Sequence, residues 1–291
     1  MLRARSVRWG LLLVIGLMAL VIVGSACGGK KKEKEAAAAI PHITIMAKDF
    51  EFAAPDQIEG GLVTITLENQ GKEPHMAQIA RLAEGKTVAD VQAAFAKGPE
   101  GEQELLSILE VAGGPNTVDP GGHQEVTVKL APGHYLLLCF VTGADGVPHA
   151  AKGMIRPLEV VAPAAPRAVA EPTPDLTVTL KDFAIEIPAK VDAGMHVWKV
   201  VNQGPQPHEM DMVKLAEGKT LDDLKALFTA EPSGPPPFAY VGGLGAISPN
   251  ISGWLTVDLT AGNYVALCFV PDAATGKSHA ELGMITAFTV Q

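Results

Sequence analysis

Apolar and polar residues alternate with period two over much of this chain. "VTITLEN" (63–69), "EVTVKL" (125–130), "LTVTLKD" (176–182) and "WLTVDL" (254–259) each place every second side chain on one face. That pattern predicts half-buried β-strands. The runs are short and bounded by Gly, Pro, Asn and Asp, and no long helical stripe competes with them. The pattern therefore predicts all-β sandwiches. Two helices interrupt it. Thr87 with Asp90, and Thr220 with Asp223, have capping-box spacing ahead of "VADVQAAFAKG" and "LDDLKALFTAE".

The strand pattern is written twice. "KDF" recurs at 48–50 and 181–183, "NQG" at 69–71 and 202–204, and "LAEGKT" at 82–87 and 215–220. "APGHYLLLCF" (131–140) returns as "TAGNYVALCF" (260–269). A Pro/Ala-rich stretch separates the copies and reads as a semi-rigid linker. The expected organisation is a first domain at 41–162, a linker at 163–174 and a second domain at 175–291. A length of 291 residues suits two domains.

The first residues read as targeting rather than fold. Arg3, Arg5 and Arg8 precede a short apolar run from Leu11 to Val23, which closes on "GSAC". Residues 1–27 thus resemble a lipoprotein signal ending at Cys27, followed by a charged tether at 28–40. An ordinary signal peptide and an uncleaved anchor are the other readings of the same segment. On the lipoprotein reading the protein is exported and held to a membrane by lipid on Cys27. Removing the three arginines from 23 basic residues leaves 20 against 32 acidic ones, a formal charge of −12. A nucleic-acid partner, which wants a basic face, is not expected.

Charge and export leave the chemistry to a few side chains. Of eight histidines, the repeat matches His75 with His208 and His149 with His279. His42, His123, His134 and His196 have no counterpart and are given no role; His123 aligns with Ser252. Cys139 matches Cys268, and Met154 matches Met284. Each half therefore carries two imidazoles, a thiol and a thioether. Such a set suits copper: thiolate and thioether favour Cu(I), and imidazole accommodates Cu(II). A disulfide between Cys139 and Cys268 is awkward, because they hold equivalent places in two repeats.

At these residues both halves resemble the cupredoxin family, the small blue-copper proteins of plastocyanin and azurin type. "PGHYLLLCF" and "AGNYVALCF" are similar to the family's strand leading into the copper cysteine. "HAAKGM" and "HAELGM" reproduce its His-x₄-Met spacing, and "NQGKEPH" and "NQGPQPH" resemble the segment with its first histidine. The resemblance implies two tandem cupredoxin-like Greek-key β-sandwiches, each with a short helical insertion. It implies copper ligands His75, Cys139, His149 and Met154 in the first, and His208, Cys268, His279 and Met284 in the second. Met76 and Glu209 stand where many members place an Asn, and the Cys-to-His loops are long, with nine and ten intervening residues.

The implied function is electron transfer outside the cytoplasm, with a redox protein as partner and no small-molecule substrate. A copper carrier or buffer, or a copper-free binding module, is the alternative. Catalysis of the kind seen in copper nitrite reductases or multicopper oxidases is not expected. Leu138 and Leu267 precede the cysteines, Phe140 and Phe269 follow them, and no His-x-His occurs. Nor does the chain hold a GxSxG or HExxH motif.

Overall fold

The computed structural model describes residues 38–165, 168–228 and 236–291. Residues 1–27 with Cys27, and most of the tether, lie outside the described residues. Among those described, no helix is long and apolar enough to cross a membrane.

Period-two patterning becomes strands with one buried face. In Gly61–Asn69 the side chains of Val63, Ile65 and Leu67 are buried while Thr64 and Thr66 face away. Each half has one five-stranded sheet of its own. In the first half it runs Gln57–Glu59, Ile155–Val161, Gly133–Leu138, Gln78–Leu82, Leu109–Val111. In the second it runs Lys190–Val191, Ile285–Val290, Gly262–Leu267, His208–Leu215, Phe238–Ile247. The opposing layer is one continuous eight-stranded sheet to which each half gives four strands. The join is the antiparallel pair His123–Leu130 with Ser252–Leu259. The fold is thus two cupredoxin-like sandwiches fused along one layer.

The register at the join is symmetric. Trp254 faces Thr127, Leu255 faces Val126, and Thr256 faces Glu125. His123 matches Ser252, so Val126 and Leu255 are equivalent positions and the pairing reads the same from either half. A second contact obeys the same symmetry. Ala112 bridges Ile247, Pro115 bridges Leu244, and Val118 bridges Val241. The Gly-Gly pairs at 113–114 and 242–243 align these segments one on the other.

Two local devices deliver chain to one pole of each sandwich. The hydroxyls of Tyr135 and Tyr264 donate to the carbonyls of Ala131 and Thr260, four residues upstream, at 2.9 and 2.8 Å. These bonds fix the turns that launch the cysteine strands. The helices Val88–Phe95 and Leu221–Ala226 open on complete capping boxes at Thr87 and Thr220. Where the sequence suggests one helix per half, the first half has a second, Pro99–Ile108, begun by a proline in its first turn and buried through Leu105 and Ile108. Phe95 packs 5.8 Å from Phe140, and Phe228 packs 6.4 Å from Phe269. The end of the capped helix in each half therefore packs against the residue that follows each cysteine.

Candidate metal centres

The first centre is assembled from three chain segments. His75 sits between strands, exchanging two backbone hydrogen bonds with Val118 at 3.1 and 3.0 Å. Cys139 follows strand Gly133–Leu138, and His149 opens a 3-10 turn after Pro148. The Cys139 carbonyl accepts from Ala150 N–H at 2.8 Å, and the Val141 carbonyl accepts from His149 N–H at 2.9 Å. Gly153, at φ 102°, reverses the chain in a conformation L-residues avoid. That reversal lets Met154 donate to the His149 carbonyl at 3.0 Å and accept from Cys139 N–H at 3.3 Å.

The second centre repeats this. Met284 donates to the His279 carbonyl at 2.8 Å and accepts from Cys268 N–H at 3.2 Å. All eight residues singled out from the sequence, from His75 to Met284, are fully buried. Both cysteines are free of disulfides.

In each half the donor atoms converge. His75 Nδ1 and His149 Nδ1 lie 3.1 Å apart, with Cys139 Sγ 3.7 and 3.5 Å from them. His208 Nδ1 and His279 Nδ1 lie 3.0 Å apart, with Cys268 Sγ 3.5 Å from the latter. Among the described residues these are the two groups of His, Cys, Asp or Glu gathered closely enough to hold an ion.

The orienting residues come from the repeated motifs. Asp49, of the first "KDF", lies 3.2 Å from His75 Nε2, and Asp182, of the second, 2.8 Å from His208 Nε2. Each carboxylate accepts a hydrogen bond from Nε2–H, which leaves the Nδ1 lone pair facing the thiol. Lys72 and Glu73 N–H groups hold Asp49 at 2.8 and 3.3 Å, and these bonds keep its carboxyl below the usual range. Asn69 and Asn202, of "NQG", shape the loop before the first histidine. Their amides donate to the Glu73 and Gln206 carbonyls at 2.9 and 2.8 Å and accept from Gly71 and Gly204 N–H, both at 2.9 Å.

Phe50 and Phe183 occupy the left-handed region at φ 65° and 61°. Strain of that kind costs about 1–3 kcal/mol and gathers at functional sites. Here it sets each ring edge-on to a histidine, 5.1 Å from His149 and 5.4 Å from His279. The sequence reading gave none of these residues a role, although their repetition in both halves marked them.

Two differences between the halves touch the centres directly. Glu73 Oε2 lies 2.9 Å from His149 Nε2, whereas Gln206 turns to Asp182 and Asp272, and buried His279 Nε2 has no partner. Glu209, buried beside His208, accepts from Phe269 N–H at 2.9 Å, a brace that Met76 cannot supply.

Does this donor set fit a metal ion? With Nε2–H of both His75 and His149 directed at carboxylates, two Nδ1 lone pairs face each other at 3.1 Å. One thiol proton cannot satisfy both, and a cation can. Two imidazoles and a thiolate suit copper, with zinc as the other soft-to-borderline occupant. Burial pushes the Cys139 thiol up to about 12 and Cys268 well above its usual value. Metal binding must therefore expel a proton from each.

Burial also lowers the histidines. His75 and His208 fall although Asp49 and Asp182 pull them up, and His279 falls to about 4 through burial and then the neighbouring His208. A folded value of about 4 against an ordinary 6.5 means the folded chain binds fewer protons between those limits. This contribution to stability is complete above pH 6.5 and is lost as pH falls toward 4. Burial raises Glu209, and raises Asp211 well above its usual value, so these act in the opposite sense. The clean readout is thus the imidazole itself. In NMR titration of the metal-free protein, His279 should stay neutral until about pH 4; titration near 6.5 would contradict the buried geometry.

No family model matches the chain, and no curated protein matches it. Solved structures do. An auracyanin from Roseiflexus castenholzii is 19% identical, with 40% of this chain and 95% of that chain covered, at TM-score 0.28. An azurin from a Methylomonas strain is 16% identical over 42% and 99%, at 0.29. A copper-containing nitrite reductase from Thermus scotoductus is 16% identical over 87% and 62%, at 0.25. From its own sheets and centres, this chain is a tandem protein of cupredoxin-like fold.

Proposed function

We propose that this chain is an exported copper protein that transfers electrons, with one His₂Cys centre in each half. The observation that carries the reading is the pair of buried Nδ1–Nδ1–Sγ clusters, each with its histidine turned by a carboxylate. Copper held there would supply one-electron chemistry between Cu(I) and Cu(II).

The chain's own residues do the rest. His75, Cys139 and His149, and His208, Cys268 and His279, would hold the ion, with the buried thioethers of Met154 and Met284 as the further soft donor of each half. Asp49, Asp182 and Glu73 orient imidazoles. Phe50 and Phe183 close the pole against water, and full burial of the ligands favours retention over ready exchange. That burial supports electron transfer over the carrier reading. No catalytic step is assigned, and the partner is a redox protein. Lipid on Cys27 would hold the chain to a membrane, which a mass shift lost in Cys27→Ser would test.

The direct experiment is a Cu(II) titration followed by visible and electron-paramagnetic-resonance spectra. An intense thiolate-to-copper band with narrow hyperfine splitting, saturating at two equivalents, is expected. Colourless uptake as Cu(I) would favour the carrier, and no uptake would end the copper reading.

A further inference from the structure

The junction between the halves is two-fold symmetric, but its chemistry is not. Asn116, in the segment that crosses to the second half, donates from Nδ2 to Glu209 Oε2 at 3.2 Å. Under the symmetry that pairs Pro115 with Leu244, the equivalent positions are Gly245 and Met76. Neither can form such a bond. One side-chain link therefore runs from the first half to the second centre, and its mate does not exist.

Glu209 is placed to make that link matter. It follows His208 in the chain, its N–H points to Cys268 Sγ at 3.4 Å, and its Oε1 accepts from Phe269 N–H at 2.9 Å. One side chain thus ties the strand of the first histidine to the end of the cysteine strand. A carboxyl group buried to this depth needs its oxygens filled, because a buried polar group without partners is strongly unfavourable. Asn116 fills the second oxygen. Its own amide is fixed, since Asn116 Oδ1 accepts from Thr117 N–H at 2.8 Å and Thr117 Oγ1 at 3.2 Å. Two residues on, Val118 is the backbone partner of His75.

Resting on the reading of these groups as metal centres, we infer that Asn116 is a positioning residue for the second centre. It acts through Glu209, so that centre is completed across the junction while the first is built within its own half. Removing the amide leaves Glu209 half-bonded, and the hold on Phe269 and Cys268 slackens.

The test uses the full chain with Co(II) as probe, bands being assigned to each centre with Cys139→Ser and Cys268→Ser. Asn116→Ala should weaken Co(II) binding at the second centre by about 10–100-fold and shift its bands, the scale of lost second-sphere support. The first centre should change less than about twofold by comparison. The paired exchange Asn116→Asp with Glu209→Gln reverses donor and acceptor at constant charge, and should restore the second centre's spectrum. In metal-free protein, Asn116→Ala should speed alkylation of Cys268 and leave Cys139 unchanged. Equal effects on both centres, or none on either thiol, would overturn the inference. Wild-type protein that takes up no Co(II) would instead refute the metal reading, and the alkylation comparison would still decide the role of Asn116.

Discussion

Cys139→Ser should lower the metal capacity of the chain from two equivalents to one, Cys268→Ser should do the same at the other centre, and the double variant should bind none. The sulfur is the soft donor in each cluster, and a serine hydroxyl is too weak an acid to replace it as an anionic ligand. The substitution is close in size, and the new hydroxyl lies within reach of histidine Nδ1 atoms. The fold should therefore survive, with a stability change of about 1 kcal/mol. Metal titration of the variants, with thermal unfolding as the control for folding, checks this. A serine variant that keeps two equivalents of thiolate-type spectrum would sink the assignment.

Gly71→Ala and Gly204→Ala should be nearly as damaging, for a reason of space. A Cβ on Gly71 would lie 2.5 Å from Asp49 Oδ1 and 2.6 Å from His75 Nε2. On Gly204 it would lie 2.5 Å from His208 Nε2 and 2.8 Å from Asp182 Oδ1. Contacts that short force the Asp–His pair apart. The imidazole then loses the bond that sets its tautomer and orientation, a loss that costs about 10–100-fold in metal affinity. Overpacking adds about 1–3 kcal/mol of destabilisation. Each alanine should weaken only its own centre in a site-resolved titration. Unchanged affinity would mean that the carboxylates do not position the histidines.

Much of this site was legible because the chain states it twice. Matching halves separated His75, His149, His208 and His279 from four histidines without counterparts, and strand periodicity put both cysteines at strand ends. Asp49 and Phe50 were marked by the repeated "KDF", but their roles were not legible. They lie in the turn between strands His42–Lys48 and Glu51–Ala53, and only the parallel pairing of the first with Gly61–Asn69 carries them to His75 and His149. The fused sheet was hidden for a related reason. Alternation tells which face of His123–Leu130 is buried, but an edge shows no periodicity that names its neighbour.

The symmetry of that join bears on the history of the molecule. Taken alone, either half would expose its joining strand, His123–Leu130 or Ser252–Leu259, as an open row of backbone donors and acceptors, the kind of edge that recruits another chain. A single ancestral sandwich closing that edge on a second copy of itself would form an isologous pair about Val126 and its mate. The tandem chain has the form of such a homodimer with its two copies covalently joined. Two covalently joined copies need not stay identical, and the Asn116–Glu209 bond, whose equivalent positions are Gly245 and Met76, is an asymmetry that a dimer of identical subunits could not hold.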